Sequence, residues 1–159
     1  MKLIPLRGKY GLGKFALVDD GDFVWASKMK WHLTKNYKVK SSFYARNGNG
    51  KKLHQLIMNP QRGDIIDHIN RNTLNCCKSN LRITDRLGNA RNAGIRRDNT
   101  SKFRGVHFWK TGQKWMARIS VNNKRKFLGY FDNSRDAAIA YNNAAKIYHG
   151  TFASFNLIT

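Results

Sequence analysis

The sequence predicts an α+β protein. A strand–strand–helix unit follows a small β-rich N-terminal region and precedes a three-stranded antiparallel sheet packed on one helix. Two short apolar runs, Ile65–Ile69 and Leu81–Thr84, flank the turn-forming segment Asn70–Asn72 and precede a helical stretch. Apolar side chains occupy every second position of residues 114–121, from Trp115 to Val121, as in a strand with one buried face. An alanine-rich segment near the C-terminal end has the three-to-four-residue spacing of a helix packed on a sheet.

The β-rich region spans residues 1–50. Lys14–Val18 has the composition of a short strand, and the acidic, glycine-containing run Asp19–Asp22 predicts a hairpin turn after it. A second strand-like run, Tyr37–Arg46, leads into the turn Asn47–Gly50.

Residues 51–95 form the second predicted domain, which contains the strand–strand–helix unit. Asp85 is placed to cap a helix that continues to about Ala93, where Gly94 ends it. A polar linker over residues 96–101 follows, because Ile95–Ser101 is rich in Arg, Asp and Asn.

Residues 102–159 form the third predicted domain. On its central strand, Trp115 points to the core, and Phe131 lies on the apolar side of the next strand. The following helix begins at Asn133 or Ser134 and ends at Gly150. Its predicted buried face consists of Ala137, Tyr141, Ala144, Ala145 and Tyr148.

The charge of the chain points to a polyanionic partner. Thirty Lys and Arg residues stand against nine acidic ones, a net charge of +21. Eight of the basic residues, and no acid, fall between Ser101 and Phe131. Clustered cations bind the phosphates of nucleic acids by releasing counterions, so we expect DNA or RNA as the partner.

Composition also limits the catalytic groups that the chain can use and indicates the cellular compartment in which it works. All nine acidic residues are Asp, which excludes a glutamate base in this chain. The only cysteines, Cys76 and Cys77, are adjacent and are expected to be reduced thiols in a reducing compartment. No apolar run approaches the roughly 18 residues of a membrane span. We therefore expect a soluble, intracellular protein that is neither secreted nor bound to membranes.

Three polar residues of the second domain could bind a metal ion and activate water. Asp67 and His68 are neighbours on a predicted strand, and a strand end or a bulge would let both side chains reach one cleft. Asn89, on the following helix, can direct its side-chain amide oxygen into the same cleft. A carboxylate and an amide oxygen favour Mg²⁺ or Mn²⁺ over Zn²⁺.

The residues Asp67–Asn70, Asn80–Arg82 and Asn89–Asn92 resemble the ββα-metal core of HNH nucleases, in the variant of phage and intron homing endonucleases. Leu53–Ile57 is similar to that family's lead-in strand, and the resemblance covers residues 51–93. It implies that Asp67 and Asn89 bind one divalent ion, Mg²⁺ or Mn²⁺. It further implies His68 as the general base and Asn80 as a brace of the loop. We interpret His54 and Asn92 as structural residues. The chain departs from the family at Gln55, where Arg is common, and at Asn75–Cys77, where Asp-Asn-Arg is common.

The third domain resembles the AP2/ERF DNA-binding domain over residues 102–157. The resemblance rests on Phe103–Val106, Trp115–Ile119, Leu128–Phe131, Ala137–Ala145 and Gly150–Asn156. It implies a sheet laid in the major groove of double-stranded DNA. The DNA-binding residues expected on that sheet and its turns are Arg104, His107, Lys110, Lys114, Arg118, Arg125 and Phe127. His107, Arg118 and Ser120 depart from the residues usual in the family, so its base preference does not carry over.

Together these features predict a metal-dependent DNA endonuclease of the HNH type, targeted by an AP2-like module. The N-terminal segment also looks like the leader of phage HNH–AP2 proteins, which implies a homing role in the cytoplasm of a bacterial host. The expected partner is double-stranded DNA, with no small-molecule substrate, and the expected state is a monomer or weak dimer. Two alternatives stay open: a non-catalytic DNA-binding regulator with a vestigial HNH core, and an RNA-binding protein.

Overall fold

The computed structural model describes residues 1–35, 42–95 and 98–158. The chain divides into two compact units, Met1–Asn89 and Ala90–Thr159. Residues 37–41 of the predicted strand Tyr37–Arg46, and Arg96 and Arg97 of the predicted linker, lie outside the described residues.

The first unit contains three two-stranded antiparallel sheets in its described part, formed by β1 with β2, β3 with β4 and β5 with β6. Its elements are β1 (Lys2–Pro5), β2 (Phe15–Val18), α1 (Asp20–Ala26), β3 (His32–Lys35), β4 (Phe43–Arg46), α2 (Leu53–Met58), β5 (Ile65–His68) and β6 (Leu81–Thr84). Helix α3 (Arg86–Asn92) follows β6, and the division between the two units falls within it.

One apolar cluster holds these small sheets together. Trp31 is its largest fully buried side chain, and the indole Nε1–H donates to the backbone oxygen of Ala26 at 2.8 Å. The segment after β5 joins this core because Leu17 N–H donates to Leu74 O, and Cys76 N–H to Leu17 O, each at 2.8 Å. Cys76 is thereby fixed beside β2 and is only 1% exposed.

Two short segments of the first unit differ from the sequence-based predictions. Asp19–Asp22 is not a hairpin turn, because α1 begins at Asp20, with Asp20 and Asp22 in its first turn. Acidic residues favour a helix N-terminus and a turn alike, which explains the error. Leu53–Ile57 is not a strand but lies in α2. The strand predicted over Lys14–Val18 is confirmed as β2, and the turn at Asn47–Gly50 is confirmed as well.

The predicted strand–strand–helix unit is present. Strands β5 and β6 are antiparallel, with Asp67 opposite Arg82 and His68 opposite Leu81. Asp85 caps α3 as predicted, since its Oδ1 accepts from Gly88 N–H at 2.7 Å. Both polar residues of interest, Asp67 and His68, therefore stand at the end of β5.

The second unit contains a three-stranded antiparallel sheet in the order β7–β8–β9, covered on one face by α4. Its elements are β7 (Val106–Trp109), β8 (Lys114–Val121), β9 (Lys124–Phe131) and α4 (Ser134–His149). Asn133 caps α4, because its side chain accepts from Asp136 N–H. The predicted order of strand, strand, strand and helix is confirmed.

Alanines allow α4 to approach the sheet closely. Ala137, Ala138, Ala144 and Ala145 are buried, and Tyr141 packs with Ile119 between them. Gly105 lies against this tyrosine so tightly that a Cβ there would come within 2.2 Å of Tyr141 Cδ2. The prediction for Tyr148 is wrong, since this side chain is 42% exposed and faces Lys126.

A β-bulge changes the faces of β9. Ala117 pairs with Gly129 while Arg118 pairs with Phe127, so Leu128 is the extra residue. The bulge lets Leu128 and Phe131, three residues apart, both reach the core. It also directs Phe127 and Tyr130 outward together. Within the described residues, no helix combines the length and apolar character needed to cross a membrane.

Candidate functional site

Asp67 is a buried carboxylate held by an arginine. Arg82, directly across the hairpin, donates to Asp67 Oδ2 from Nε at 2.9 Å and from Nη2 at 2.7 Å. The two side chains are 7% and 15% exposed, so water screens their charges weakly. The guanidinium therefore supplies the partner without which a carboxylate buried at this position would be strongly disfavoured.

His68 ends β5 and packs among other rings. Its ring centroid lies 4.9 Å from that of His54, edge to face, and 6.3 Å from that of Tyr44. His54 comes from the first turn of α2, and Tyr44 from β4, so three elements enclose the imidazole. Both histidines are 5% exposed. Because His68 is the last residue of β5, its side chain need not point to the side of the sheet opposite Asp67, as it would in the middle of a regular strand.

Burial keeps both imidazoles neutral at physiological pH. Removal from water lowers the pKa of His68 to about 4, although the Asp67 charge acts in the opposite direction. Removal from water, with added repulsion from His68 and Lys52, lowers the pKa of His54 to about 3. A neutral imidazole has a lone pair with which to accept a proton or bind a metal ion.

Asn80 ties together the two ends of the loop that joins β5 to β6. Its Oδ1 accepts from Asn70 N–H at 2.9 Å, and its Nδ2–H donates to Asn75 O at 2.8 Å. Ile69 N–H also donates to the backbone oxygen of Asn80. Asn80 therefore links Asn70 and Asn75 through its side chain, and its role as a brace of the loop stays a prediction.

The asparagines of α3 differ from each other. Asn89 is exposed, and its backbone N–H donates to Asp85 O, whereas Asn92, one turn later, is buried. The convergence of Asp67 and Asn89 on one ion stays a prediction. The donor set nevertheless fits the expected metal in kind, because a carboxylate and an amide both offer the hard oxygen atoms that Mg²⁺ and Mn²⁺ prefer.

Two residues of this region were not predicted from the sequence as site residues. Arg82 is placed against Asp67 by strand register, a signal that pairing the two predicted strands residue by residue could have supplied. Cys76 lies with His54 and His68, and no sequence pattern indicates this proximity. Burial raises the pKa of the Cys76 thiol to about 12, so the thiol is protonated when no metal is bound.

The outward face of the β7–β9 sheet collects most of the residues expected to bind DNA. A depression of about 450 Å³ on this face is lined by Arg104, His107, Arg118 and Arg125, together with neighbouring residues. His107 and Arg125 are exposed, while Arg104 and Arg118 are half-buried. Asn156 fixes the backbone at Arg104, accepting from its N–H at 2.6 Å and donating to its carbonyl at 3.1 Å.

The two lysines expected to bind DNA lie at the other end of the sheet. Lys110 is exposed in the turn between β7 and β8. Lys114 forms an ion pair with Asp132. Because that aspartate is 84% exposed, the pair constrains the lysine little.

Exposed aromatic rings stand beside these cations. Trp109 and Tyr130 stack with centroids 4.6 Å apart and planes inclined by 26°, and Phe127 lies 4.8 Å from Tyr130. Their exposed fractions are 39%, 48% and 54%, respectively. Only Phe127 was predicted to bind DNA. Tyr130 was missed because, without the bulge, a residue three positions along a strand would face the opposite way.

Known proteins resemble parts of this chain, although no protein-family model matches it. A dehydration-responsive element-binding protein of Arabidopsis thaliana is 37% identical over 79 residues, 48% of this chain and 38% of the plant protein. An AP2-like ethylene-responsive transcription factor of the same plant is 36% identical over 62 residues, 39% of this chain and 13% of that protein. The chain thus spans well under half the length of these plant relatives. These similarities support the AP2-like part of the sequence interpretation.

A phage relative covers more of the chain. Protein 3.8 of Escherichia phage T7 is 30% identical over 94 residues, which are 59% of this chain and 77% of the phage protein. This chain belongs to the family of that phage protein. The matched length exceeds the 70 residues of the unit from 90 to 159, so the similarity extends into the first unit.

Proposed function

We propose that this chain is a metal-dependent DNA endonuclease, in which the β5–β6 hairpin carries out hydrolysis and the β7–β9 sheet binds double-stranded DNA. The observation that carries the proposal is a buried Asp67 beside a buried, neutral His68 at the end of a hairpin, in a chain with a net charge of +21. Burying a carboxylate and an imidazole is unfavourable for folding, so their position favours a chemical role.

His68 acts as the general base. Its neutral imidazole accepts a proton from the water that attacks phosphorus. The P–O3′ bond breaks, and the leaving 3′ oxygen takes a proton from solvent, which gives a 5′-phosphate and a 3′-hydroxyl. His54 and Tyr44 hold the imidazole by packing against it. Asn80 keeps the preceding loop closed, which maintains the direction of the strand end.

Asp67 and Asn89 are the residues that would hold the metal ion. When bound, a hard divalent ion neutralises the charge that develops on the phosphate oxygens during hydrolysis. Arg82 pairs with the buried Asp67 carboxylate through two nitrogen atoms and fixes its orientation. Asn89 contributes its amide from α3, whose N-terminus is fixed by the Asp85 cap.

The second unit provides DNA binding. The plant relatives of the chain are named as an element-binding protein and a transcription factor. We infer the same role here for the outward sheet face, where Arg118 and Arg125 stand on adjacent strands. Arginines on such a face contact phosphates or the edges of guanine.

The test compares cleavage with binding. The full chain is incubated with supercoiled plasmid and Mg²⁺ or Mn²⁺, and nicked product is measured beside a binding assay in EDTA. We expect His68→Ala to lower the cleavage rate by about 10²–10⁴-fold and to leave DNA affinity within about twofold. His32→Ala, at an exposed histidine of the same unit, is the control and should cleave normally. Full activity in His68→Ala would contradict the assignment of the base.

A second candidate is a DNA-binding protein without catalysis. The name of the plant transcription factor and the exposure of Asn89 favour it. In that case the unaltered chain binds duplex DNA but leaves plasmid intact with each metal ion. A chain that prefers RNA to duplex DNA in competition would contradict both candidates.

A further inference from the structure

Three buried side chains of the first unit can bind one ion, independently of the oxygen ligands considered above. His54 lies on α2, His68 ends β5, and Cys76 stands in the segment bound to β2. One potential ligand atom from each residue lies within 4.8 Å of the other two. Their exposed fractions are 5%, 5% and 1%.

The donors are of the kind that zinc prefers. Imidazole nitrogen and cysteine sulfur are the common zinc ligands, at Zn–N distances of about 2.0–2.1 Å and Zn–S of about 2.3 Å. A tetrahedral ion then requires ligand atoms about 3.3–3.6 Å apart. Closing the present spread to that distance takes a movement of about 1 Å, which small side-chain rotations supply. Mg²⁺, which demands oxygen ligands, does not suit this set.

The burial of Cys76 can also be explained by packing alone, without a metal ion. Its thiol contacts Thr73 O at 3.9 Å and belongs to the apolar cluster, so it serves packing whether or not a metal binds. Cys77 provides the matched comparison. It is adjacent and likewise 1% exposed, yet it is not among the three clustered donors.

We propose that His54, His68 and Cys76 form a site for a zinc-like divalent ion, and that an ion bound there inhibits DNA cleavage by occupying the imidazole of His68. The Cys76 sulfur binds as a thiolate, and its proton passes to solvent. The inhibition rests on the proposed nuclease function, whereas the metal site does not. The bound ion and the attacking water compete for the same histidine.

Cobalt(II) tests the site without reference to activity. The full chain, with its thiols reduced, is titrated with Co²⁺, and the sulfur-to-cobalt charge-transfer absorption in the near ultraviolet is recorded. We expect a band that saturates at one ion per chain, that Zn²⁺ displaces, and that Cys77→Ser retains. Cys76→Ser should lose the band by at least tenfold. Absence of the band in the unaltered chain, or its dependence on Cys77, would overturn the site.

His54→Asn provides a second variant should Cys76→Ser fail to fold. Removing this imidazole keeps the thiol but deletes one nitrogen donor, so we expect weaker Co²⁺ binding by at least tenfold. Unchanged Co²⁺ affinity in a folded His54→Asn chain would overturn the assignment of the ligands.

The second experiment measures the ratio of plasmid nicking with and without Zn²⁺ in saturating Mg²⁺. We expect at least a tenfold lower rate with zinc in the unaltered chain and in Cys77→Ser, and a ratio near one in Cys76→Ser.

A cobalt band that follows Cys76, in a chain that never cleaves, upholds the metal site and ends both the nuclease proposal and the inhibition. Cleavage that requires His68 but shows no cobalt band upholds the nuclease and overturns the site.

Discussion

The β5–β6 hairpin and the β7–β9 sheet use charged residues in opposite ways. On the hairpin, Asp67 and Arg82 are paired across two strands with little solvent around them. On the sheet, the cations line an open face, and the ion pair between Lys114 and Asp132 is mostly in water. Charges buried in a hairpin fix a geometry, whereas charges on an open face attract a partner. The first arrangement suits chemistry at one bond, and the second suits binding along a polymer.

The sharpest test of this contrast removes the buried partner. We expect Arg82→Ala to destabilise the hairpin by about 3–5 kcal/mol, because it leaves the Asp67 carboxylate buried without its guanidinium. Native-state hydrogen exchange measures the opening free energy of β5 and β6, and the amides of β7–β9 serve as the internal reference. A loss below about 1 kcal/mol would show that water reaches Asp67.

The buried histidines should make the first unit sensitive to mild acid. Their pKa values in the folded chain, about 3 for His54 and about 4 for His68, lie below the usual 6.5. Protonation therefore favours unfolding: the stability is full well above pH 6.5 and is lost as the pH falls from 6.5 towards 4 for His68 and towards 3 for His54. Between pH 7.5 and 5 we expect a loss of about 2 kcal/mol per histidine.

Thermal unfolding followed at several pH values between 7.5 and 5 measures this effect. The window lies above the ordinary pKa of aspartate, so the carboxylates contribute little to it. His54→Asn removes one of the two groups and should flatten the dependence. A melting temperature that does not change across the window would contradict the burial of these imidazoles.

Sequence reasoning succeeded where a long pattern or an end signal was present. The strand β8, the alanine spacing of α4 and the Asp85 cap of α3 are each confirmed. It failed at α2, because six residues are too few to separate the period of a helix from that of a strand.

Some residues of the candidate site could likewise be predicted from the sequence, and others could not. Asp67 and His68 could be chosen from residue type and position, and the structure buries both. Arg82 and Cys76 are brought to them by strand register and by the bond between Cys76 N–H and Leu17 O, which are tertiary features. Tyr130 faces outward only because Leu128 forms a bulge. Such placements depend on contacts between distant residues, and local sequence does not encode them.

On the open face, removal of one cation should weaken binding without affecting the fold. We expect Arg118→Ala to weaken duplex DNA binding by about 1–3 kcal/mol if its guanidinium contacts a base, and by less if it contacts phosphate alone. The slope of log affinity against log salt should fall by about one in the phosphate case. Arg135→Ala on α4 removes the same charge from an exposed helix position and is the control. Equal effects in the two variants would show that net charge, and not the sheet face, determines affinity.

The smallest effect is expected at the exposed ion pair. Lys114→Ala should change the free energy of unfolding by less than about 1 kcal/mol, because the Lys114 and Asp132 side chains are 45% and 84% exposed and water replaces their attraction. Hydrogen exchange on β8 and β9 measures it in the experiment used for Arg82→Ala, so both cross-strand pairs are judged on one scale. If DNA competes with Asp132 for this lysine, Asp132→Asn should tighten binding slightly, most visibly at low salt, where attraction between exposed charges is least screened. Destabilisation equal to that of Arg82→Ala would remove the distinction between the two regions, because exposure would then have no bearing on the strength of either pair.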